Sequence, residues 1–225
     1  IMKTVRLVLF DCDGTLVDSQ HSICTAMNRA FELQGLRPPR PADTLGVVGL
    51  SLDVAIRRLA PELDDTTLAT VEQDYKAMFF TLRQQGGGEG REPLYPGMAA
   101  LVLRLAEAGC VLGIATGKSR RGLQHVLDLN DLAGFMTTLQ PPDNAPGKPH
   151  PGMVLQAMDE VGATPESTVV VGDTTYDIEM ALAARAHAIG VSWGYHPVEA
   201  LESIGPRAVV DDAEALQRAI DAAWG

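Results

Sequence analysis

The feature that most constrains this chain is its set of short, unbroken apolar runs separated by helix-length segments. VRLVLF at Val5–Phe10, CVLGIA at 110–115, STVVVG at 167–172, HAIGVS at 187–192 and RAVVD at 207–211 each read as a strand. FMTTL at 135–139 is a weaker candidate. Runs apolar on both alternating faces belong to strands covered on both sides, and therefore to a parallel sheet. Segments 98–108, 119–129, 151–161, 175–184 and 212–224 carry helical spacing between or after them. Alternation of this kind predicts an α/β fold, a doubly wound parallel sheet.

One interval breaks the rhythm. From Leu16 to about Arg91 there are amphipathic helical patterns but no convincing strand, punctuated by Gly35, Pro38, Pro39 and Pro41. The interval ends in GGGEG at 86–90, which follows a helix and so reads as a flexible linker more readily than as a phosphate cradle. The expected organisation is a discontinuous α/β core, residues 1–15 and 92–225, interrupted by an all-helical insert, residues 16–91, hinged at both ends.

The polar signals fall at strand ends. The first strand runs into DCDGT, with Asp11 and Asp13 one residue apart. The second ends in Thr116, Gly117 and Lys118, and the fourth in GDTTYD, with Asp173 and Asp177. Ligands of open α/β sheets bind outside the carboxyl ends of the strands, so these loops should converge on one crevice. Individually, Asp173 and Asp177 read equally well as helix-start acids, Thr116 as a turn residue and Lys118 as a solvated cation. Together, the carboxylates would repel strongly without a counter-ion. Hard oxygen ligands suit magnesium, which takes one or two carboxylates plus a substrate phosphate. Lys148, in the Pro-rich stretch APGKPHPG, reads alone as a loop lysine, on a backbone that its prolines restrict.

Composition limits the partners. With 29 acidic and 18 basic residues, the net charge of −11 argues against nucleic acid or an anionic membrane surface. It leaves room for a small anionic substrate gripped by a few cations. Three cysteines without CxxC spacing read as reduced thiols. No secretory leader pattern is visible, and no apolar run approaches the ~18 residues of a membrane span. The expectation is a cytoplasmic chain.

Taken in order, DCDGT, the strand-ending ATG, the lysine of GKPHP and GDTTYD resemble the four motifs of the haloacid dehalogenase superfamily, in its phosphatase branch. They span nearly the whole chain, and DGTLVDS with GDTTYD is most similar to phosphoglycolate-phosphatase-like members, whose helical cap follows motif one. The resemblance implies a magnesium-dependent phosphomonoesterase acting through an aspartyl-phosphate. Asp11 is then the nucleophile, and Asp13 the general acid and base, with a raised pKa. Thr116, the Gly117 amide and Lys148 hold the transferring phosphoryl group. Asp11, the Asp13 carbonyl and Asp173 bind Mg2+, with Asp177 completing or orienting that shell. The substrate implied is a small phosphorylated metabolite. The alternatives are a phosphomutase of the same superfamily and, less favoured, a phosphoaccepting signalling module.

Several residues stay open or bland. Gly46, Gly49 and Ser51, in the VVGLSLD stretch, either shape specificity or simply enter a helix. Arg57 and Arg58 read as a solvated helix face, and Lys118, Arg120 and Arg121 as exposed helix-start cations. Trp193 and Tyr195 read as packing or turn residues, His150 and His196 as ordinary loop histidines, and Cys12 as core.

Overall fold

The computed structural model describes residues 4–85, 92–143 and 145–225. The GGGEG stretch lies outside these residues. Six strands form one parallel sheet in the order β3-β2-β1-β4-β5-β6. They are β1 (Val5–Phe10), β2 (Val111–Ala115), β3 (Met136–Gln140), β4 (Ala163–Gly172), β5 (His187–Val191) and β6 (Ala208–Val210). The weakest apolar run is thus an edge strand, which needs less two-sided burial than the central ones. β4 starts four residues earlier than its apolar run, because Ala163 pairs with Val5 across a register irregularity.

The unbroken apolar runs have a direct cause. Along β1, Val8 and Phe10 face one cluster, shared with Leu101 and Leu105 of α5 (Met98–Glu107), Leu123 of α6 (Arg120–Leu129) and Leu216 of α10 (Ala213–Ala223). Leu7 and Leu9 face the other, shared with Met153 of α7 (Gly152–Val161) and Ile178 of α8 (Thr175–Ala183). Successive side chains of a strand point to opposite faces, and both faces are dry. All four β1 residues are fully buried, each such side chain contributing about 1.5–3 kcal/mol.

Between β1 and α5 the described residues hold only helices: α1 (Gln20–Leu33), α2 (Pro41–Leu45), α3 (Leu52–Leu59) and α4 (Asp65–Gln84). They bury their own apolar residues, among them Phe31, Ile56 and Val71. Two α-helices were absent from the sequence expectations, α2 and α9 (Val198–Ile204). Both are too short to show several helical repeats. The strand order reverses between β1 and β4, so the loops leaving them open a crevice at the carboxyl edge.

Candidate active site

The site begins where β1 ends. The Asp11 amide donates to the Val171 carbonyl at 2.8 Å, holding the first residue of DCDGT in line with the sheet. The chain then turns tightly: Leu16 and Val17 both return their amides to the Cys12 carbonyl at 3.0 Å. Gly14 sits in the turn at φ 91°, where a Cβ would collide with the Asp173 carboxylate. This position therefore needs glycine for its conformation and for its space. Cys12 is fully buried in the core, as expected.

Four sequence-selected residues meet here. Lys148 Nζ donates to Asp11 Oδ1 at 2.7 Å and to Asp177 Oδ1 at 2.6 Å, with its own side chain fully buried. Asp177 also closes a capping box at the start of α8, its Oδ2 accepting from the Thr174 amide and hydroxyl. Asp173 accepts from Thr15 Oγ1 at 2.8 Å and from the Tyr195 amide at 2.8 Å. One carboxylate oxygen each from Asp11, Asp173 and Asp177 lies within 4.8 Å of the others. Asp11 Oδ2 is buried without a hydrogen-bond partner. Three buried hard-oxygen donors, one with an unsatisfied atom, fit a divalent cation well.

Asp13 turns away from this triad. It accepts from Lys118 Nζ at 2.7 and 2.9 Å and from the Ser19 hydroxyl. Lys118 also pairs with Glu92 at 2.8 Å, and Glu92 accepts from Arg83 of α4 at 2.8 and 3.1 Å. The Lys118 side chain is only 7% exposed, so it is not the solvated helix-start cation the sequence suggested. Phe79 of α4 covers it, with the ammonium 5.0 Å from the ring centroid.

These partners set the titration. Burial pushes Asp11 up, with Asp177 and Asp13 adding to it and Lys148 opposing, to about 7. Burial also raises Asp173 well above the carboxylate range, reinforced by Asp11. Burial would raise Asp13 too, but the Lys118 ammonium and the hydrogen bonds from Lys118 and Ser19 prevail, and its carboxyl falls below the usual value. This corrects the expected raised pKa of Asp13. The cause is a cation whose burial the sequence did not reveal.

Thr116 is buried at the end of β2, its hydroxyl accepting the Lys118 amide at 3.1 Å. Gly117 packs against the helical segment, where a Cβ would meet the Leu50 and Gly49 carbonyl oxygens. The stretch around Gly49 thus borders the site. Arg58 is exposed, as expected, and also donates to Tyr176 Oη at 2.7 Å, while that hydroxyl donates to the Gly46 carbonyl. His196 is not an ordinary loop residue. Its Nδ1 accepts from the Thr175 amide, leaving Nε2 to donate to the Gly46 carbonyl at 3.2 Å. Tyr195 Oη accepts from the Ser19 amide, and Trp193 donates to the Thr15 carbonyl. The sequence missed Glu92 and Arg83 altogether, and gave Ser19, inside DGTLVDS, no role of its own. A cavity of about 650 Å3 opens beside Asp11, Asp13 and Thr116, walled on its other side by the helical segment.

A parallel sheet with a buried acidic triad and lysine at the switch point of its strand order defines an α/β-fold protein whose site suits a divalent cation and a small anion. A family model described as Haloacid dehalogenase-like hydrolase matches residues 8–191. The chain is 33% identical to "Probable phosphatase IndB" of Dickeya dadantii, across 91% of this chain and 89% of that one. It is 31% identical to a phosphoglycolate phosphatase of Pseudomonas putida, across 94% of this chain and 78% of that one. A crystal structure of a hydrolase from Pseudomonas syringae shares the fold, with a TM-score of 0.84 at 23% identity over 98% of this chain and 99% of that one. The chain belongs to the haloacid dehalogenase-like hydrolase family and is one of its phosphatases.

Proposed function

We propose that this chain is a Mg2+-dependent phosphomonoesterase that acts on a small phosphorylated metabolite through an aspartyl-phosphate on Asp11. The observation that carries the reading is Asp11 itself. It is buried, held through one oxygen by Lys148, unpartnered at the other, and opens onto the cavity. Asp11, the Asp13 carbonyl and Asp173 would hold the metal, with Asp177 steadying the set. The ion would supply charge neutralisation for the phosphoryl oxygens.

In this reading the protein's own residues supply each step. Lys148, Thr116 and the Gly117 amide hold the phosphoryl group in line with Asp11. The Asp11 carboxylate attacks phosphorus, the ester P–O bond breaks, and the departing alkoxide takes a proton from Asp13. Water then attacks the aspartyl-phosphate and gives a proton to Asp13. The P–O bond to Asp11 breaks, releasing phosphate. Asp13 must first gain a proton, so the bound phosphoryl oxygens must draw Lys118 off it. Residues 16–91 act as a cap that closes over the reaction and excludes water.

The test is phosphate release from p-nitrophenyl phosphate with Mg2+ and with chelator, in wild type and Asp11→Asn. Turnover that survives the substitution refutes the assignment of Asp11. The relatives named phosphoglycolate phosphatase make 2-phosphoglycolate the first natural substrate to try.

A further inference from the structure

The cavity is larger and less cationic than a two-carbon acid requires. Its ~650 Å3 falls within the ~300–1,000 Å3 of pockets that bury drug-sized ligands. At ~30 Å3 per water, it equals the liquid volume of roughly 22 waters, far more than glycolate and a phosphoryl group displace.

Its charges point the same way. Among the described residues, the cations lining it are Lys76, Arg83, Lys118 and Arg121. Lys118 is taken by Asp13 and Glu92, Arg83 by Glu92, and Lys76 by Glu72. Arg121 lies over the ring of exposed Phe80 at 4.3 Å, away from the buried acids. A substrate carboxylate placed beside Lys118, Arg83 or Lys76 would therefore meet a cation already neutralised, and Arg121, committed to no carboxylate, stands apart on Phe80. Beside Lys118 and Arg83 it would lose its hydration without gaining a free counter-ion.

The opposite wall is apolar and aromatic. Phe79 and Tyr75 stand one helical turn apart on α4, ring centroids 5.6 Å apart, and Ile23, Met27 and Leu50 complete the surface. Phe80, the next residue, is 42% exposed beside the same space. An exposed phenyl ring under a guanidinium is costly to keep in water and well suited to stacking.

We propose that the phosphomonoester taken here carries a planar ring of no net charge on its leaving alcohol, seated against Phe80, and not a short carboxylic acid. The inference rests on the phosphatase reading above. The shared chemistry is a ring-bearing primary alcohol, and the assay separates a nucleoside from a substituted pyridine.

The experiment compares kcat/KM for uridine 5′-monophosphate, pyridoxal 5′-phosphate, 2-phosphoglycolate and glycerol 3-phosphate, with p-nitrophenyl phosphate as a positive control. It uses wild type, Phe80→Leu and Phe80→Trp. At least one ring phosphate should exceed both acyclic substrates by about tenfold. Phe80→Leu should lower kcat/KM for that ring phosphate about fivefold or more, chiefly through KM, and Phe80→Trp should restore it. Glycerol 3-phosphate turnover should stay within about twofold across the three proteins, as removal of a stacking surface alone requires. A kcat/KM for 2-phosphoglycolate equal to or above that of both ring phosphates overturns the inference and leaves the phosphatase reading intact. So does a Phe80→Leu loss that is equal for every substrate. Absence of turnover on all of them, control included, removes the phosphatase reading and this inference with it.

Discussion

Glu92 is the residue whose removal should be felt most widely. Its side chain is fully buried, it binds the Arg83 guanidinium through two hydrogen bonds, and it pairs with Lys118. Glu92→Gln keeps the shape and removes the charge. Arg83 and Lys118, 12% and 7% exposed, would then share only the Asp13 carboxylate among the members of this network. Breaking a buried pair by neutralising one partner costs about 3–5 kcal/mol. Lys118 keeps Asp13, so the lower end applies, about 3 kcal/mol. For a chain of this length each kcal/mol moves Tm by about 2–4 °C, giving a fall of roughly 6–12 °C. Thermal unfolding by circular dichroism measures it. The deficit should persist in ~1 M salt, because buried pairs are poorly screened. Adding Arg83→Gln to Glu92→Gln should cost less than the sum of the single changes, since the first substitution has already stranded the guanidinium. A fall below about 2 °C, or strict additivity, would refute the idea of one interdependent buried network.

The acidic triad gives a pH expectation. Asp11 sits at about 7 against an ordinary 3.8, so between those values the folded state holds more protons than the unfolded one. With chelator present, this group's contribution to stability falls as pH rises from about 4 to about 7 and is level above. Added Mg2+ favours the ionised carboxylates, so its thermal shift should be larger at pH 8 than at pH 5, and equal shifts would contradict the metal assignment. Lys148→Met strands Asp11 and Asp177 without their cation and should lower kcat by about a hundredfold or more, read by phosphate release under saturating Mg2+. Gly117→Ala forces the Gly49 and Leu50 carbonyls to shift and should cost about 1–3 kcal/mol in urea unfolding; an unchanged midpoint would mean that the contact is loose. Leu16→Ala removes a fully buried side chain just past the turn and should cost about 2–5 kcal/mol by the same measurement.

What could be read in the sequence, and what could not, follows from the range of the interactions. Strand β1 declares itself because both faces of four consecutive residues, Leu7 to Phe10, obey one local requirement. The crevice declares itself because strand ends must converge in a parallel sheet. Lys118 could not be read this way. At a helix entry, local pattern favours solvent, and only the packing of α4 from elsewhere in the chain reverses that. Its partners Asp13 and Glu92 lie 105 and 26 positions away, and no periodicity links them. The same holds for His196, whose partner Gly46 is 150 residues distant.

The buried cations also account for the arrangement of DCDGT. Lys148 serves Asp11 and Asp177, while Lys118 serves Asp13 and Glu92. Two aspartates one residue apart are thereby placed in different electrostatic surroundings. Asp11 shares its lysine with a second carboxylate, stands near a third, and is raised. Asp13 receives bonds to both oxygens and a hydroxyl, and is lowered. The strand delivers both acids to one edge, and the turn at Gly14 separates them. Their inequivalence comes from which lysine each one meets, and Lys118 is anchored through Glu92 to α4. The helical segment therefore bears on the proton affinity of Asp13 through two ion pairs, without touching it by that route. If α4 lifts, Glu92 loses Arg83 and tightens on Lys118. Asp13 then competes for that ammonium on poorer terms and is easier to protonate.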